Sequence, residues 1–337
     1  MTDQIQNDQI FDVVAIGNAL VDIIAEADDA FLVEQDIAKN AMNLVSAGRS
    51  GDLYDKIGPA VETSGGSAAN TMTGIASLGG KAAFMGKVKE DQLGTIFRHD
   101  MHAQGVYFST HPVPDNQHGP YAGISTGRCI ILVTPDAARS MNTYLGISVE
   151  FEPQDINADI LQRSQITYLE GYLFDRPAAK RAFYQATDIV KQAKKTMALT
   201  LSDLFCVERH RAEFHDLVQN HIDILFANEA EILALYQTND FNSAIAEVRK
   251  HTGIAVVTRG EKGAVITNSD AVHEVPAAPV DKVIDTTGAG DLYAAGFLYG
   301  ITHGKSLPEA GRIGAIAAAE VISHYGPRPL VKLSDLI

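Results

Sequence analysis

Short apolar runs rich in β-branched residues recur along this chain between amphipathic stretches, and this alternation constrains its fold more than any other feature. The runs cover Phe11–Ile16, Ala82–Val88, Ile166–Leu169, Met197–Leu201, Ile222–Phe226 and Ile254–Thr258. Buried strands that alternate with helices form a parallel sheet that is covered on both faces. The stretches Ala178–Lys195 and Ala310–His324 have the residue spacing of packed helices. The pattern therefore predicts an α/β fold, a three-layer α/β/α sandwich with a mostly parallel central sheet.

Two stretches interrupt this alternation, residues 22–64 and residues 106–145. The second contains several prolines and then two strand-like runs, Cys129–Val133 and Ser140–Tyr144. Because both stretches begin near the ends of core elements, we expect them to pair into a small β-rich lid over the carboxyl edge of the sheet. The predicted domains are an α/β core of residues 1–21, 65–105 and 146–337, and a lid of residues 22–64 and 106–145.

Charge and composition exclude several classes of partner. The net charge of −15 argues against nucleic acid or an anionic membrane as partner, because both require a basic face. Cys129 and Cys206 are too few for a disulfide framework and lie in no CxxC pattern, so we expect both to be reduced. The chain shows neither an apolar signal-peptide core nor a membrane-spanning run, and we expect a cytoplasmic protein that acts on a small molecule.

Two segments resemble known nucleotide-binding motifs but lack residues or spacing that those motifs require. The segment Gly300–Ser306 resembles a P-loop, but it has three residues between its glycines and follows a helix-like segment. Gly17, after the first predicted strand, is followed by Asn18 and Ala19, so the second glycine of the dinucleotide fingerprint is missing. Neither a P-loop nor a nicotinamide site is expected.

The segment Asp285–Asp291, with the sequence Asp-Thr-Thr-Gly-Ala-Gly-Asp, leads into an apolar helix-like segment, Leu292–Tyr299. Its glycines allow backbone N–H groups to approach an anion, and the helix that follows adds its positive end. A carboxylate beside an anion site repels phosphate unless it serves to accept a proton. The segment therefore indicates phosphoryl transfer, although an ordinary loop and helix cap would use the same residues.

Four further motifs lie at predicted strand ends. Asn18 and Asp22 are able to hold two vicinal hydroxyl groups, although Asn and Asp also favour turns. The segment Ser64–Asn70 opens a second helix with glycines that a ligand can approach, or that only form a turn and a cap. Asn228 and Glu231 at a strand-to-helix junction suit metal-bound water and phosphate, or solvated charges at a helix start. The segment Thr258–Gly263 joins two strand-like runs, and a hairpin alone would explain its glycines.

These motifs, in this order, resemble the ribokinase-like PfkB family of carbohydrate and nucleoside kinases from Gly17 to about Arg328. The most specific element is the Asp285–Asp291 segment with its helix, and the second is the early Gly-Gly-x-x-x-Asn block. Within the family the chain resembles the adenosine-kinase-like branch through Gly17–Asp22 and Thr134–Gly146. The resemblance implies a ribokinase-like fold with a β-rich lid.

The resemblance also implies a role for each motif. Asp291 matches the base that takes the proton from the acceptor hydroxyl as it attacks the γ-phosphate of ATP. The anion hole matches Gly288, Ala289 and Gly290. The positions matched to substrate hydroxyls are Asn18, Asp22, Gly65, Gly66 and Asn70. The positions matched to ATP are Asn228, Glu231, Thr258, Gly260 and Gly263, of which Asn228 and Glu231 also serve Mg²⁺ through water or phosphate.

Three further matches concern the lid, a cation and the base. Arg139 matches a lid arginine that moves towards the transferred phosphate, and it also fits a solvent-facing lid residue. Asp285 and the backbone of Thr287 match a K⁺ site seen in many relatives. Tyr172, with Phe174 as the second candidate, matches the aromatic residue that contacts the base.

The expected function is that of a Mg-ATP-dependent adenosine kinase, which phosphorylates the ribose 5′-hydroxyl in purine salvage. A PfkB-type sugar kinase acting on ribose, fructose or a related sugar is the alternative, because residues that hold hydroxyls do not reveal what is attached to the sugar. A sensor that binds a nucleoside without catalysis is a third hypothesis, against which the intact acid argues. The chain is expected to be a monomer or a homodimer.

Overall fold

The structure is a computed structural model that describes residues 10–136 and 138–337, which form two sheets and their covering helices. The strands are β1 Phe11–Ile16, β2 Leu20–Glu26, β3 Met42–Leu44, β4 Ala60–Gly65, β5 Ala82–Met85, β6 Gly127–Val133, β7 Arg139–Tyr144, β8 Ser164–Glu170, β9 Thr196–Thr200, β10 Ile224–Asn228, β11 Ile254–Thr258, β12 Ala264–Asn268 and β13 Val272–Val275. The α-helices are α1 Asp29–Glu34, α2 Ala47–Tyr54, α3 Ser67–Ser77, α4 Gln92–Ala103, α5 Ala158–Gln162, α6 Pro177–Gln192, α7 Leu204–Asn220, α8 Glu229–Tyr236, α9 Phe241–Val248, α10 Ala289–Thr302 and α11 Leu307–Val321. Short 3₁₀ turns cover Gly146–Glu150, Pro153–Asp155, Gly171–Leu173, Gly260–Lys262 and Leu333–Asp335.

The larger sheet has the strand order β13-β12-β11-β10-β9-β8-β1-β5 and is parallel from β11 to β5. Strands β12 and β13 are antiparallel and extend it by two hairpins. Each of the six strand predictions falls on one of these strands. The predicted strand Ala82–Val88 is too long: β5 ends at Met85, where Gly86 packs so closely that an added Cβ would lie 2.9 Å from the Gly17 oxygen.

Helices cover both faces because side chains alternate across each strand. In β1, Val13 and Ala15 belong to the apolar cluster that includes α3, α10 and α11, whereas Val14 and Ile16 belong to the cluster that includes α6 to α9. The predicted three-layer sandwich is therefore present. Among the described residues, no helix combines the length and the apolar character needed to cross a membrane.

The smaller, five-stranded sheet has the order β3-β7-β6-β2-β4 and is called the lid sheet below. Its strands come from the two stretches predicted as a lid, and it extends slightly beyond their limits, because β2 begins at Leu20 and β4 ends at Gly65. The predicted lid boundary at residue 106 is wrong. The Tyr107 N–H donates to the Ala82 oxygen at 2.9 Å and the Tyr107 oxygen accepts from the Phe84 N–H at 2.9 Å, so this segment extends the edge of the core sheet.

Helices α10 and α11 touch through their backbones because glycines face each other. An added Cβ at Gly296 would lie 2.6 Å from the Gly314 Cα atom, and one at Gly314 would lie 2.7 Å from the Tyr293 oxygen. Close packing of this kind leaves no room for a methyl group. The contact fixes α10, whose first turn carries Asp291.

The Gly296→Ala substitution should lower the free energy of unfolding by about 1–3 kcal/mol, because the methyl group overpacks this contact. Urea unfolding followed by circular dichroism measures the change. Gly48→Ala is the matched control: Gly48 lies in α2 with no heavy atom within 4 Å of an added Cβ, and its replacement should be neutral or stabilise by at most about 1 kcal/mol. Equal stabilities for the Gly296→Ala and Gly48→Ala variants would contradict the packing argument.

Candidate active site

A cavity of about 770 Å³ lies between the carboxyl edge of the core sheet and the lid sheet. Open α/β sheets bind their ligands at this edge. The predicted site residues that line the cavity are Asn18, Asp22, Gly66, Asn70, Tyr172, Asn228, Glu231, Thr258, Thr287, Gly288, Ala289, Gly290 and Asp291. The predicted site residues outside its lining are Gly65, Arg139, Gly260, Gly263 and Asp285.

Asp291 lies in the first turn of α10 and is held by the first turn of α3. Its Oδ1 accepts the Ser67 hydroxyl at 2.6 Å, and its Oδ2 accepts the Asn70 Nδ2–H at 2.9 Å. Burial raises the pKa of Asp291, and the two hydrogen bonds oppose that shift. Each carboxylate oxygen keeps acceptor capacity for a ligand, since an ionised carboxylate has about four lone-pair sites.

The turn before α10 has the geometry of an anion site. Gly288 is the N-cap of α10 with φ +79°, a conformation that favours glycine, and an added Cβ there would lie 2.8 Å from Pro327. Gly290 has no heavy atom within 4 Å of an added Cβ, so the backbone there is open to a ligand. The N–H groups of a first helical turn have no intrahelical partner and favour an anion, although the Ala289 N–H here donates to the Thr286 carbonyl at 3.2 Å.

Asn18 is occupied by protein contacts more fully than its sequence motif suggests. Its Nδ2–H donates to Glu170 Oε1 at 2.8 Å, and its Oδ1 accepts the Ser148 hydroxyl at 3.0 Å. Glu170 also accepts the Asn18 N–H at 3.1 Å and the Ala68 N–H at 2.8 Å. Glu170 therefore fastens the end of β1 to the start of α3.

Glu170 is almost fully buried, with 1% of its surface exposed. Burial raises the pKa of its carboxyl to about 7, although three N–H donors favour the ionised form. An added Cβ at Gly17 would lie 2.5 Å from Glu170 Oε2, so this position requires glycine.

Asp22 and Asn70 present the polar groups best suited to ligand hydroxyls. Asp22 is 7% exposed, and its carboxylate packs against Gly65, where an added Cβ would lie 2.4 Å from the Asp22 Cγ atom. Burial raises the pKa of Asp22 to about 6. Asn70 Oδ1 is buried and has no hydrogen-bond partner among the described residues. An acceptor left in this state inside a cavity fits a ligand hydroxyl.

The lid sheet contributes an apolar face that the sequence analysis missed. Alternate residues of four paired strands face the cavity, because side chains alternate along a strand. They are Leu20 and Asp22 of β2, Cys129 and Ile131 of β6, Met141 and Thr143 of β7, and Met42 and Leu44 of β3. Apart from Asp22 and Thr143, these residues are apolar, and the polar Asn43 of β3 also lines the cavity. Of the two predicted aromatic residues, Tyr172 lines the cavity, whereas Phe174 is buried and stacks on Phe214 with ring centroids 5.1 Å apart.

Arg139 and Asp285 form a buried ion pair instead of lining the cavity. Arg139 Nη1 lies 2.8 Å from Asp285 Oδ2, and the two side chains are 6% and 8% exposed. Asp285 also accepts the Thr287 N–H at 3.1 Å and the Gly326 N–H at 3.1 Å. The guanidinium lies 5.3 Å from the centre of the Tyr325 ring. The pair thus joins the lid sheet to the turn that precedes α10.

Asn228 and Glu231 form a reciprocal cap at the start of α8. Glu231 Oε2 accepts the Asn228 N–H at 3.0 Å, and Asn228 Oδ1 accepts the Glu231 N–H at 2.9 Å. Burial raises the pKa of Glu231 to about 7. No group of three or more His, Cys, Asp or Glu residues with metal-binding geometry occurs in the described parts of the chain. Glu231 at the cavity wall fits Mg²⁺, which usually keeps several waters and binds through one or two carboxylates and substrate phosphates.

The turn after β11 has structural reasons for its glycines. Gly260 has φ +58° and Gly263 has φ +82°, and an added Cβ at Gly263 would overlap the Val275 oxygen. The hairpin between β11 and β12 therefore needs these residues with or without a nucleotide. Thr258, at the end of β11, does reach the cavity.

Sequence reasoning missed several side chains that shape the site. Ser67 lies inside the motif Ser64–Asn70, but its bond to Asp291 joins residues 224 positions apart. Glu170 is an acid at the end of a predicted strand, and this position is the feature of the sequence that could have identified it as a site residue. The missed residues are Ser67, Ser148, Glu170, Phe205 and Arg328.

Comparisons with known proteins agree with this architecture. Residues 12–332 match the family described as pfkB family carbohydrate kinase. The crystal structure of adenosine kinase from Sinorhizobium meliloti is 50% identical with a TM-score of 0.88, covering 97% of this chain and 98% of that chain. A probable sugar kinase from Rhizobium etli CFN 42 is 49% identical with a TM-score of 0.87, covering 97% of both chains. An adenosine kinase from Saccharomyces cerevisiae is 28% identical over 345 residues, 95% of this chain and 98% of that protein. The two structures confirm the predicted ribokinase-like fold.

The Glu170→Gln substitution should flatten the dependence of stability on pH. Because burial raises the pKa of Glu170 from 4.5 in the unfolded chain to about 7, the folded state binds an extra proton between these values. The free energy of unfolding of the original protein therefore falls as the pH rises towards 7, and the part due to Glu170 is at most about 1.4 kcal/mol per pH unit. Urea unfolding at pH 5, 6, 7 and 8 measures the slope.

Glu208→Gln on the exposed surface of α7 is the control, and it should leave that slope unchanged. Parallel stability curves for the original protein and the Glu170→Gln variant would show that the Glu170 carboxyl does not take up this proton on folding.

Proposed function

Because the chain belongs to the pfkB family of carbohydrate kinases, and is thus a phosphotransferase with an alcohol group as acceptor, we propose that its acceptor is a nucleoside. The substrate that we propose is adenosine, phosphorylated on the ribose 5′-hydroxyl by ATP. This reaction would return adenosine to the nucleotide pool, as in purine salvage. The 50% identity to an adenosine kinase supports adenosine as the substrate. Because the chain is also 49% identical to a probable sugar kinase, the choice between a nucleoside and a sugar depends on the residues of the site.

The observation that carries the proposal is the apolar face of the lid sheet opposite the polar strand ends of the core. Cys129, Ile131, Met141, Met42 and Leu44 offer a surface that a purine ring would cover. A free sugar would leave this surface exposed to water or cover it with hydroxyl groups. In neither case would binding gain the free energy of burying apolar surface against apolar surface. A nucleoside has one apolar and one polar end, and so does this cavity.

In the proposed mechanism, Asp291 accepts the proton of the 5′-hydroxyl as that oxygen attacks the γ-phosphorus atom of ATP. Ser67 and Asn70 hold its carboxylate in one orientation. The phosphorus–oxygen bond to the leaving ADP breaks as the new bond forms, and the charge on the transferred group would lie against the N–H groups of the turn Gly288–Gly290. The Ala289 N–H would first have to leave the Thr286 carbonyl, to which it donates at 3.2 Å. Positioning and charge stabilisation supply most of the rate in reactions of this class.

The ribose would be held by Asp22 and by the buried Asn70 Oδ1, both of which accept hydrogen bonds from hydroxyl groups. Gly66 would let the ribose approach the backbone, Gly65 would leave room for the Asp22 carboxylate, and Asn18 would act by holding Glu170 and the turn between β1 and β2. Tyr172, one of the aromatic residues that line the cavity, would contact the base.

ATP use and Mg²⁺ follow from the family. We place the phosphates between Gly288–Gly290 and the Asn228–Glu231 cap, with Thr258, Gly260 and Gly263 on the nucleotide side. Mg²⁺, when bound, neutralises phosphate charge, and Glu231 would meet it through water. The K⁺ site predicted at Asp285 and Thr287 has less support, because Arg139 already balances the Asp285 charge. Movement of Arg139 towards the phosphate would require this ion pair to open.

The Asp291→Asn variant should fold and bind adenosine but lose turnover by roughly 10²- to 10⁴-fold, because the amide cannot take the proton. Coupled ADP formation measures the rate, and calorimetry measures adenosine binding. Asp281→Asn is the control: this exposed acid precedes the segment Asp285–Asp291, and its replacement should keep full turnover. Near-normal turnover of the Asp291→Asn variant would refute the role of this base.

Adenosine should give the highest kcat/KM when adenosine, inosine, guanosine, ribose and fructose are offered separately with MgATP. The apolar face of the lid sheet is the reason, since it contributes binding only to acceptors that carry a base. Highest kcat/KM with ribose or fructose would establish the sugar kinase instead. Adenosine binding with no ADP formed from any acceptor would establish a sensor.

A further inference from the structure

Arg328, in the segment after α11, reaches back to the turn between β4 and α3. Its Nη2 donates to the Ser64 carbonyl at 2.7 Å and to the Ser64 hydroxyl at 3.0 Å. Its Nη1 donates to the Ala69 carbonyl at 3.2 Å and to the Thr73 hydroxyl. The guanidinium therefore joins the last residues of a lid strand to the first two turns of a core helix.

Asp100 of α4 holds the same turn through other groups of Ser64. Its Oδ2 accepts the Ser64 N–H at 2.9 Å, the Ser64 hydroxyl at 2.5 Å and the Thr63 hydroxyl at 3.1 Å. Ser64 is fully buried. The strand end that leads into Gly65 and Gly66 is thus held between a partly buried cation and an anion.

The charge of the guanidinium also acts on the two acids of the proposed reaction. Arg328 interacts electrostatically with Asp100, Asp22 and Asp291, which lie on α4, β2 and α10. Burial lowers the pKa of Arg328 to about 10, so it stays charged at neutral pH. Other charged groups near the acids are Arg139 of β7, which faces Asp22, and Glu170 of β8, which interacts with Asp291.

Two carboxylates that share one cavity repel each other, and one of them tends to bind a proton. Asp22 and Asp291 have this relation, since the charge of Asp291 raises the pKa of Asp22. Asp22 would have to accept from ribose and Asp291 from the 5′-hydroxyl at the same time. Accepting these hydrogen bonds and the proton requires both carboxylates to be ionised. A fixed positive charge nearby therefore favours the state that is competent for the reaction.

We propose that Arg328 is a positioning residue for this reaction: it fastens the turn at Ser64–Gly66 to α3 and supplies the charge that keeps Asp22 and Asp291 ionised together. It touches neither reacting atom. The inference rests on the proposed function for its consequence in catalysis, whereas its electrostatic part concerns the protein alone.

The test compares Arg328→Met, which removes the charge, with Arg328→Lys, which keeps it, in the full-length protein. In Arg328→Met, the acid limb of the pH profile of kcat/KM for adenosine should move to higher pH by roughly one unit. Arg328→Lys should keep the acid limb in place while losing some turnover, since an ammonium group lacks the planar fork of donors. If Arg328→Met loses turnover but its acid limb does not move, the role of Arg328 is only structural. That result would overturn the proposal.

The Asp100→Asn variant should shift the acid limb in the direction opposite to that of Arg328→Met. This test does not depend on whether the Arg328→Met variant folds. The amide oxygen still accepts from Ser64, but a negative charge beside Arg328 is gone, so the acid limb should move to lower pH. An acid limb that stays in place or rises in Asp100→Asn would contradict the proposal. Arg249→Met is the matched control: this arginine donates to the carbonyls of Asn268 and Ser269, and its loss should not move the limb.

A titration without substrate separates this inference from the proposed function. Aspartate labelled with ¹³C at the side-chain carboxyl reports the pKa of Asp22 by NMR, with Asp22→Asn identifying the signal. The pKa of Asp22 should rise above about 6 in Arg328→Met and fall in Asp100→Asn. Should no acceptor support turnover, the proposed function fails while this titration still decides the inference. An unchanged Asp22 titration in both variants would reject it.

Discussion

The hydrogen bonds between Asp291 and the first turn of α3 hold the site together. They join the start of α10, with its glycine turn, to the start of α3, which follows the lid strand β4. The two helices also pack side by side: an added Cβ at Gly74 of α3 would lie 2.6 Å from the Ala295 Cβ of α10. Because the anion turn and the hydroxyl-binding turn are fixed to each other, a hydroxyl and a phosphate bound at the two turns would meet at Asp291.

This arrangement collects negative charge in a buried place, and the fold compensates it with fixed donors. Glu170 receives three N–H groups, and Asp291 receives a hydroxyl and an amide. Arg328, bonded to α3, adds a positive charge that acts on these acids, and Arg139 pairs with Asp285 before the turn. Burial raises the pKa of Asp22 and of Asp291, and the positive charge of Arg328 opposes both shifts. A carboxylate that stays ionised is able to take up a proton during each turnover.

The sequence allowed prediction of whatever depends on local patterns. Apolar β-branched runs marked the core strands, and glycine motifs marked the strand ends that line the cavity. Long-range partners were out of reach: Glu170 meets Asn18 across 152 residues, and the Arg139–Asp285 pair joins the lid sheet to the core. The lid face depends on the register of four strands, which no single segment reveals. Residue 106 was placed in the lid because its segment breaks the helix–strand alternation, yet Tyr107 pairs with the edge of the core sheet.

The central claim is that the cavity orients a nucleoside with its 5′-hydroxyl at Asp291 and its base against the lid sheet. A crystal structure with adenosine and a non-hydrolysable ATP analogue tests it most directly. The 5′-oxygen should lie roughly 2.6–3.2 Å from an Asp291 carboxylate oxygen, with the base on Ile131 and Met141. A base bound at the Asp291 end, or a 5′-hydroxyl out of reach of Asp291, would contradict the account.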